Sequence, residues 1–174
     1  MQSIVAEILA GNPDAFRLIV QEYRDDLLRI AWHYFHDWEE AKDITQDTFI
    51  RCYRSLHHYD PGQPFKPWLY QIHTNCCRSA SRRWWKHLWR EQRLEQIDAE
   101  YISTASVDDD NEIRQAVDKL SRHQKEAFVM LAIEGLSTSE TALALGIAES
   151  TVRVHYSRAR EKLRKVLKEN VDDQ

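Results

Sequence analysis

The chain has 174 residues, a mass of 20.7 kDa and a formal net charge of −4. That length suits one ordinary domain or two small ones with real cores, and 43% hydrophobic with 30% charged residues is a folded composition. Four glycines and four prolines exclude a Gly-rich phosphate loop and a turn-rich β-sandwich or barrel, and the longest apolar run, Ala127 to Ile133, is far too short to span a membrane.

The N-terminus lacks a basic stretch followed by an apolar one, so no signal peptide is expected. Phe16, Val20, Tyr23, Leu27, Ile30 and Tyr34 recur at steps of four and three, which predicts one apolar face of a helix. Asn12-Pro13-Asp14 is its expected start, with proline in the first turn. Asp37 is the expected cap of a second helix running to about Leu56, with Glu39 and Glu40 near its positive end. Ala41, Ile44, Thr48, Cys52 and Leu56 face its core side. Asp60 to Pro64 reads as a loop, and a third helix starts near Pro67 and continues towards Trp89.

From Pro61 to Arg90 there is no acidic residue, while six cations (Lys66, Arg78, Arg82, Arg83, Lys86, Arg90) and six aromatics (Phe65, Trp68, Tyr70, Trp84, Trp85, Trp89) lie there. Cations neutralise phosphates and aromatic faces stack on unpaired bases, so this segment suits single-stranded nucleic acid. The three cysteines, Cys52, Cys76 and Cys77, are an odd count with two adjacent, a poor disulfide framework. His73, Cys76 and Cys77 fit one helical turn but lack an obvious fourth ligand, and His33 and His36, one turn apart, are not part of a carboxylate-His-His constellation. No metal, no cofactor and no catalytic residue is expected.

Residues 91–110 hold one arginine and seven acids, so the negative charge is concentrated between two near-neutral halves. Residues 96–111 read as a flexible linker. Helical periodicity then resumes. Ile113, Ala116, Val117 and Leu120 form one apolar stripe, and Ala127, Phe128, Leu131 and Ala132 another. After Thr138 a short helix ends at Gly146, Ser150 or Thr151 caps a new helix, and Val152, Tyr156, Ala159 and Leu163 face inward from it. This is helix-turn-helix spacing, with Arg153, Ser157 and Arg158 facing outward. The expected fold is all-α: two small helical domains joined by an acidic linker, the C-terminal one a helix-turn-helix.

Three stretches resemble one family, the bacterial RNA polymerase sigma factors of the extracytoplasmic-function group. They are Glu39-Glu-Ala-Lys-Asp-Ile-Thr-Gln-Asp-Thr-Phe-Ile-Arg51, Phe65-Lys-Pro-Trp-Leu-Tyr-Gln-Ile-His-Thr-Asn75, and the helix-turn-helix ending Ser157-Arg-Ala-Arg-Glu-Lys-Leu163. The resemblance implies a polymerase-binding and promoter-melting region over 1–95, a linker over 96–111 and a −35-reading region over 112–174. It also implies a non-enzymatic subunit that directs core RNA polymerase to promoters.

By the same resemblance Asp43, Gln46, Asp47, Phe49 and Tyr53 bind core polymerase. Phe65, Lys66, Trp68, Tyr70 and Asn75 handle the −10 element, with Arg78, Arg82 and Arg83 on phosphates. Trp68 has a competing role as a core residue. Ser150, Thr151, Arg153, Ser157 and Arg158 match positions that contact the −35 duplex. The implied partners are core polymerase through its β′ clamp helices and β flap, promoter DNA as duplex and single strand, and an anti-sigma factor. The implied location is the cytoplasm, at the nucleoid when active or at a membrane when an anchored inhibitor holds the chain. Leu120-Ser121 stands where the family often has Leu-Pro, and His155 where a basic residue is common. The competing reading is a stand-alone helix-turn-helix regulator, for which no dimerisation helix is evident.

Overall fold

The computed structural model describes residues 1–91, 116–117 and 119–172, and within them the backbone only at Gln2 and over 83–91 and 166–172. The described residues are helical and contain no strand. They fall into two compact units, an N-terminal one of residues 1–86 with 143–146 and a C-terminal one built on 87–142 and 147–174. The expected linker, 96–111, and Ile113 lie outside the described residues.

The N-terminal unit contains α1 (Gln2–Leu9), α2 (Phe16–Phe35), α3 (Trp38–Ser55) and α4 (Phe65–Glu91). The sequence reading did not anticipate α1; it has no capping side chain, and its burial of Val5 and Ile8 supplies what local signals do not. A short turn of 3-10 helix, Pro13–Ala15, leads into α2, which buries Ile19, Tyr23, Leu27, Ile30 and Ala31. Its end is set by His36, whose backbone takes the left-handed conformation (φ 52°) and whose N–H donates to the Trp32 carbonyl at 2.8 Å. Asp37 then starts α3 as anticipated: its carboxylate accepts the N–H groups of Glu39 and Glu40 at 2.8 and 3.3 Å. After a loop in which Asp60 accepts the Gly62 N–H at 2.8 Å, α4 begins at Phe65, with Pro67 in its first turn.

Small side chains let these helices approach closely. Ala31 of α2, Ala41 and Ile44 of α3, and Cys76, Cys77 and Ala80 of α4 form one buried cluster, with Trp32, Tyr34, Phe35 and Ile72 packed at its edge. Fully buried Leu27, Ile30 and Leu69 each contribute about 1.5–3 kcal/mol by burial. Two polar links fix α4 against its neighbours. The Tyr70 hydroxyl donates to Asp26 of α2 at 2.9 Å, and His73 Nδ1 lies 2.9 Å from Thr48 Oγ1 of α3.

The C-terminal unit contains α5 (Arg122–Phe128), α6 (Thr138–Leu145) and α7 (Glu149–Asp172). Ala116, Val117, Leu120, Ala159 and Leu163 form its core with Phe128. The Ser121 N–H donates to the Gln124 side chain at 3.1 Å, a cap that proline at this position cannot make. Leu131 and Ala132 were expected to face inward. Instead α5 passes into a π-type turn over Val129–Ile133, closed by Glu134 N–H on the Val129 carbonyl at 2.9 Å. The extra residue in that turn shifts the buried positions to Val129 and Met130, leaving Ala132 exposed.

Ser137 and Glu140 form a reciprocal cap at the start of α6: Glu140 N–H donates to Ser137 Oγ at 3.2 Å and Ser137 N–H to Glu140 Oε2 at 2.9 Å. Gly146 takes φ 67°, the left-handed turn expected there. Because α7 already starts at Glu149, Ser150 and Thr151 lie in its first turn and do not cap it. Val152, Ala159 and Leu163 are buried as expected, and Tyr156 is half-buried.

His73 is wholly buried, and burial lowers its pKa to about 3, a shift opposed by a hydrogen bond to the Leu27 backbone. The folded chain therefore keeps His73 neutral where the unfolded chain, at about 6.5, binds a proton. Stability from this residue is complete above pH 6.5 and is lost as pH falls from there towards 3. We expect the urea midpoint to drop on acidification across that window, and His73→Gln to have a shallower pH dependence than the wild type. Equal slopes for both proteins contradict this assignment.

Candidate functional site

Three surfaces carry the residues singled out in the sequence. The first is the outer face of α3. Asp43 and Gln46 are exposed there, and Asp47 pairs with Arg51 one turn on at 2.9 Å. Tyr53 is 45% exposed and meets the Phe16 ring edge-on at 5.2 Å. Phe49, expected beside them on the surface, is buried, because it too packs edge-on against Phe16, at 6.3 Å. These rings floor an apolar groove of about 810 Å³ between α2 and α3, lined by Phe16, Val20 and Leu28 on one side and Phe49, Ile50 and Tyr53 on the other. Arg24, Lys42 and Arg54 also line it. Ile50, 42% exposed, escaped the sequence reading, although Gln46, Ile50 and Tyr53 follow helical spacing.

The second surface lies on α4, where the expected −10 residues separate into two sets. Phe65 is 4% exposed, within a ring cluster that includes Tyr23 at 5.8 Å, Tyr59 at 5.3 Å and Trp68 at 5.5 Å. Tyr70 has no exposed surface. Lys66, four residues earlier on the same side of the helix, lies over the Tyr70 ring at 5.3 Å, with its ammonium 3.7 Å from Asp26. Arg29 completes this clasp, bonding Asp26 at 2.7 Å. Phe65, Lys66 and Tyr70 thus join α4 to the body of the unit.

Half-buried Trp68 and exposed Asn75 and Arg82 recur every seven residues on the other side, with half-buried Arg78 beside them. Arg82 also donates to Ser79 Oγ at 3.2 Å. The Arg83 side chain, like those of Trp84, Trp85, Trp89 and the neighbouring cations, lies outside the described residues.

Cys52, Cys76 and Cys77 are buried free thiols beneath these faces. Burial pushes the Cys52 thiol up to about 12 and raises Cys76. Cys77 Sγ lies 3.7 Å from His73 Nε2. Among the described residues, no group of three or more His, Cys, Asp or Glu side chains is placed to hold a metal ion.

The third surface is the outward side of α7. Ser150, Arg153, Ser157 and Arg158 are exposed and Thr151 is half-buried. Arg153 bonds Glu149 at 2.8 Å along the helix. His155 turns back instead, stacked on His123 of α5 with 5.4 Å between ring centres and 18° between planes. Burial, then the neighbouring His123 and Arg158, lower its pKa. That shift, with the ring stacked against His123, favours the neutral imidazole at His155. A rigid helix with exposed hydroxyl and guanidinium groups near its start can present them to base edges and phosphates.

Comparison with known proteins identifies the family. Residues 19–87 match the sigma-70 region 2 family and residues 110–163 the sigma-70 region 4 family. The chain is 32% identical to the ECF RNA polymerase sigma factor SigE of Mycolicibacterium smegmatis, over 86% of this chain and 60% of that protein. It is 29% identical to SigW of Bacillus subtilis, over 95% of each. Among solved structures, RpoE of Bartonella quintana, crystallised with the anti-sigma factor NepR, superposes with a TM-score of 0.73 at 25% identity, covering 88% of this chain and 96% of that one. No helix among the described residues is long and apolar enough to cross a membrane. The chain belongs to the extracytoplasmic-function sigma factors of the sigma-70 family, the subunits that direct RNA polymerase to promoters.

Proposed function

We propose that the outer face of α3 docks on the clamp helices of the polymerase β′ subunit. The observation that carries this reading is the open groove beside it, where Ile50 and Tyr53 stay exposed next to Asp43 and Gln46. Exposed apolar side chains rimmed by polar ones are the anatomy of a protein interface. In this arrangement Gln46, Ile50 and Tyr53 make contact, Asp43 and Asp47 supply charge, and Phe49 supports the floor.

The −10 element meets the Trp68, Asn75, Arg78 and Arg82 side of α4, with Arg83 following it. This side of the segment 61–90 carries no carboxylate to repel phosphates. Removing a base from the stack costs a few kcal/mol, and an aromatic platform returns about 1–3 kcal/mol per base. Trp68 together with phosphate contacts can therefore hold a short bubble once the polymerase provides the scaffold, without ATP hydrolysis. Phe65, Lys66 and Tyr70 fix the position of this surface.

The −35 duplex meets Ser150, Thr151, Arg153, Ser157 and Arg158 on α7. The working regions are 1–95, the linker 96–111 and 112–174, the last also touching the β flap. A cytoplasmic location, with nucleoid association during transcription, follows from these partners. An anti-sigma factor is a further partner by analogy with RpoE of Bartonella quintana; a membrane-anchored one would hold the chain at the membrane. The stand-alone regulator is not favoured, because a lone repressor has no use for either surface of the N-terminal unit.

Asp43→Ala combined with Gln46→Ala is expected to weaken binding to purified core polymerase by about tenfold, roughly 1.4 kcal/mol, with an unchanged thermal midpoint. Unchanged affinity contradicts the docking assignment. Arg158→Ala is expected to reduce discrimination between cognate and scrambled −35 duplexes by roughly tenfold, the scale of one bidentate base contact, while core affinity is retained. An equal loss on every sequence instead assigns Arg158 to phosphate.

A further inference from the structure

We propose that Val154 is a specificity-determining residue of α7, seating its two methyl groups against the C5 methyl of a thymine in the upstream duplex. This rests on the reading of α7 as the duplex-reading helix and extends it to a residue and a base. The observation is an apolar side chain where polar ones are expected. Val154 is 45% exposed, the one exposed large hydrophobic of α7 among the described residues.

Its place in the helix gives that exposure meaning. Val154 is the sixth residue of α7, within the first turns, where a recognition helix reaches base edges. Ser150 and Thr151 lie one turn before it and Ser157 and Arg158 one turn after, so it sits in the middle of the proposed duplex contacts. The flanking positions do not take its role: His155 is stacked on His123, and Val152 is wholly buried.

The chemistry selects the base. Valine has no hydrogen-bonding group, so it gains nothing from the donors and acceptors of adenine, guanine or cytosine. Thymine alone presents a methyl group in the major groove. The β-branch holds valine largely in one χ1 rotamer on a helix, so its methyls are fixed before DNA arrives. The contact therefore adds discrimination at little ordering cost.

The test uses holoenzyme assembled from the full chain and core polymerase. Upstream duplexes are selected from a randomised pool, and each thymine of the selected sequence is replaced in turn by deoxyuridine, which lacks only the methyl group. At one position deoxyuridine is expected to weaken wild-type binding about three- to fivefold, the value of one buried methyl. Holoenzyme carrying Val154→Ser should bind both versions equally, while Val154→Thr, which keeps one methyl, retains part of the difference. Tolerance of deoxyuridine at every position by the wild type, or the same penalty with Val154→Ser, overturns the assignment to Val154 and leaves the reading of α7 standing. Failure to select any upstream duplex overturns the reading of α7, and the inference with it.

Discussion

The N-terminal unit depends on how closely three helices can approach. Ala31, Ala41, Cys76, Cys77 and Ala80 are small enough for α2, α3 and α4 to meet along one line. Packing on that line occupies a single face of α3 and of α4. The remaining faces are then free to carry different chemistries: acidic, amide and apolar groups on α3, aromatic and cationic groups on α4. A larger residue at any of these positions would push helices apart in an interior that tolerates little added volume, at a typical cost of 1–3 kcal/mol.

Two polar links turn that packing into a defined register. The Thr48–His73 contact ties α3 to α4, and the Asp26 clasp ties α2 to the first turn of α4. Apolar contact alone is non-directional, whereas a hydrogen bond at 2.9 Å fails if a helix slides by even part of a turn. The links thus hold the Trp68–Asn75–Arg82 row at a fixed angle to the α3 face. That geometry matters for the proposed division of roles, in which one helix grips the polymerase while another meets the separated strand.

Much of this was legible in the sequence where a single local rule decides the outcome. The Asp37 cap, the apolar face of α2 and the left-handed turn at Gly146 follow from side-chain chemistry within a few residues. The misses share a different cause. Phe49 and Tyr70 carry the residue types of an interface, but tertiary neighbours, Phe16 and Asp26, draw them inward. Lys66 carries a phosphate-binding group, and the structure also engages it with Tyr70 and Asp26. The π-type turn at Val129–Ile133 has no sequence signature, and one extra residue there leaves Leu131 half-buried and Ala132 exposed. Val154 carries no polar group, the usual mark of a duplex contact in a sequence.

In the proposed function one chain joins polymerase through α3 and opens a promoter through α4. Permanganate reactivity of thymines near a transcription start tests it most directly, on promoters found by run-off transcription with this chain and purified core polymerase. The account predicts reactive, unpaired thymines only when chain and core are both present, without a requirement for ATP hydrolysis. Stable association with core that leaves every thymine protected, or failure to associate at all, would contradict it.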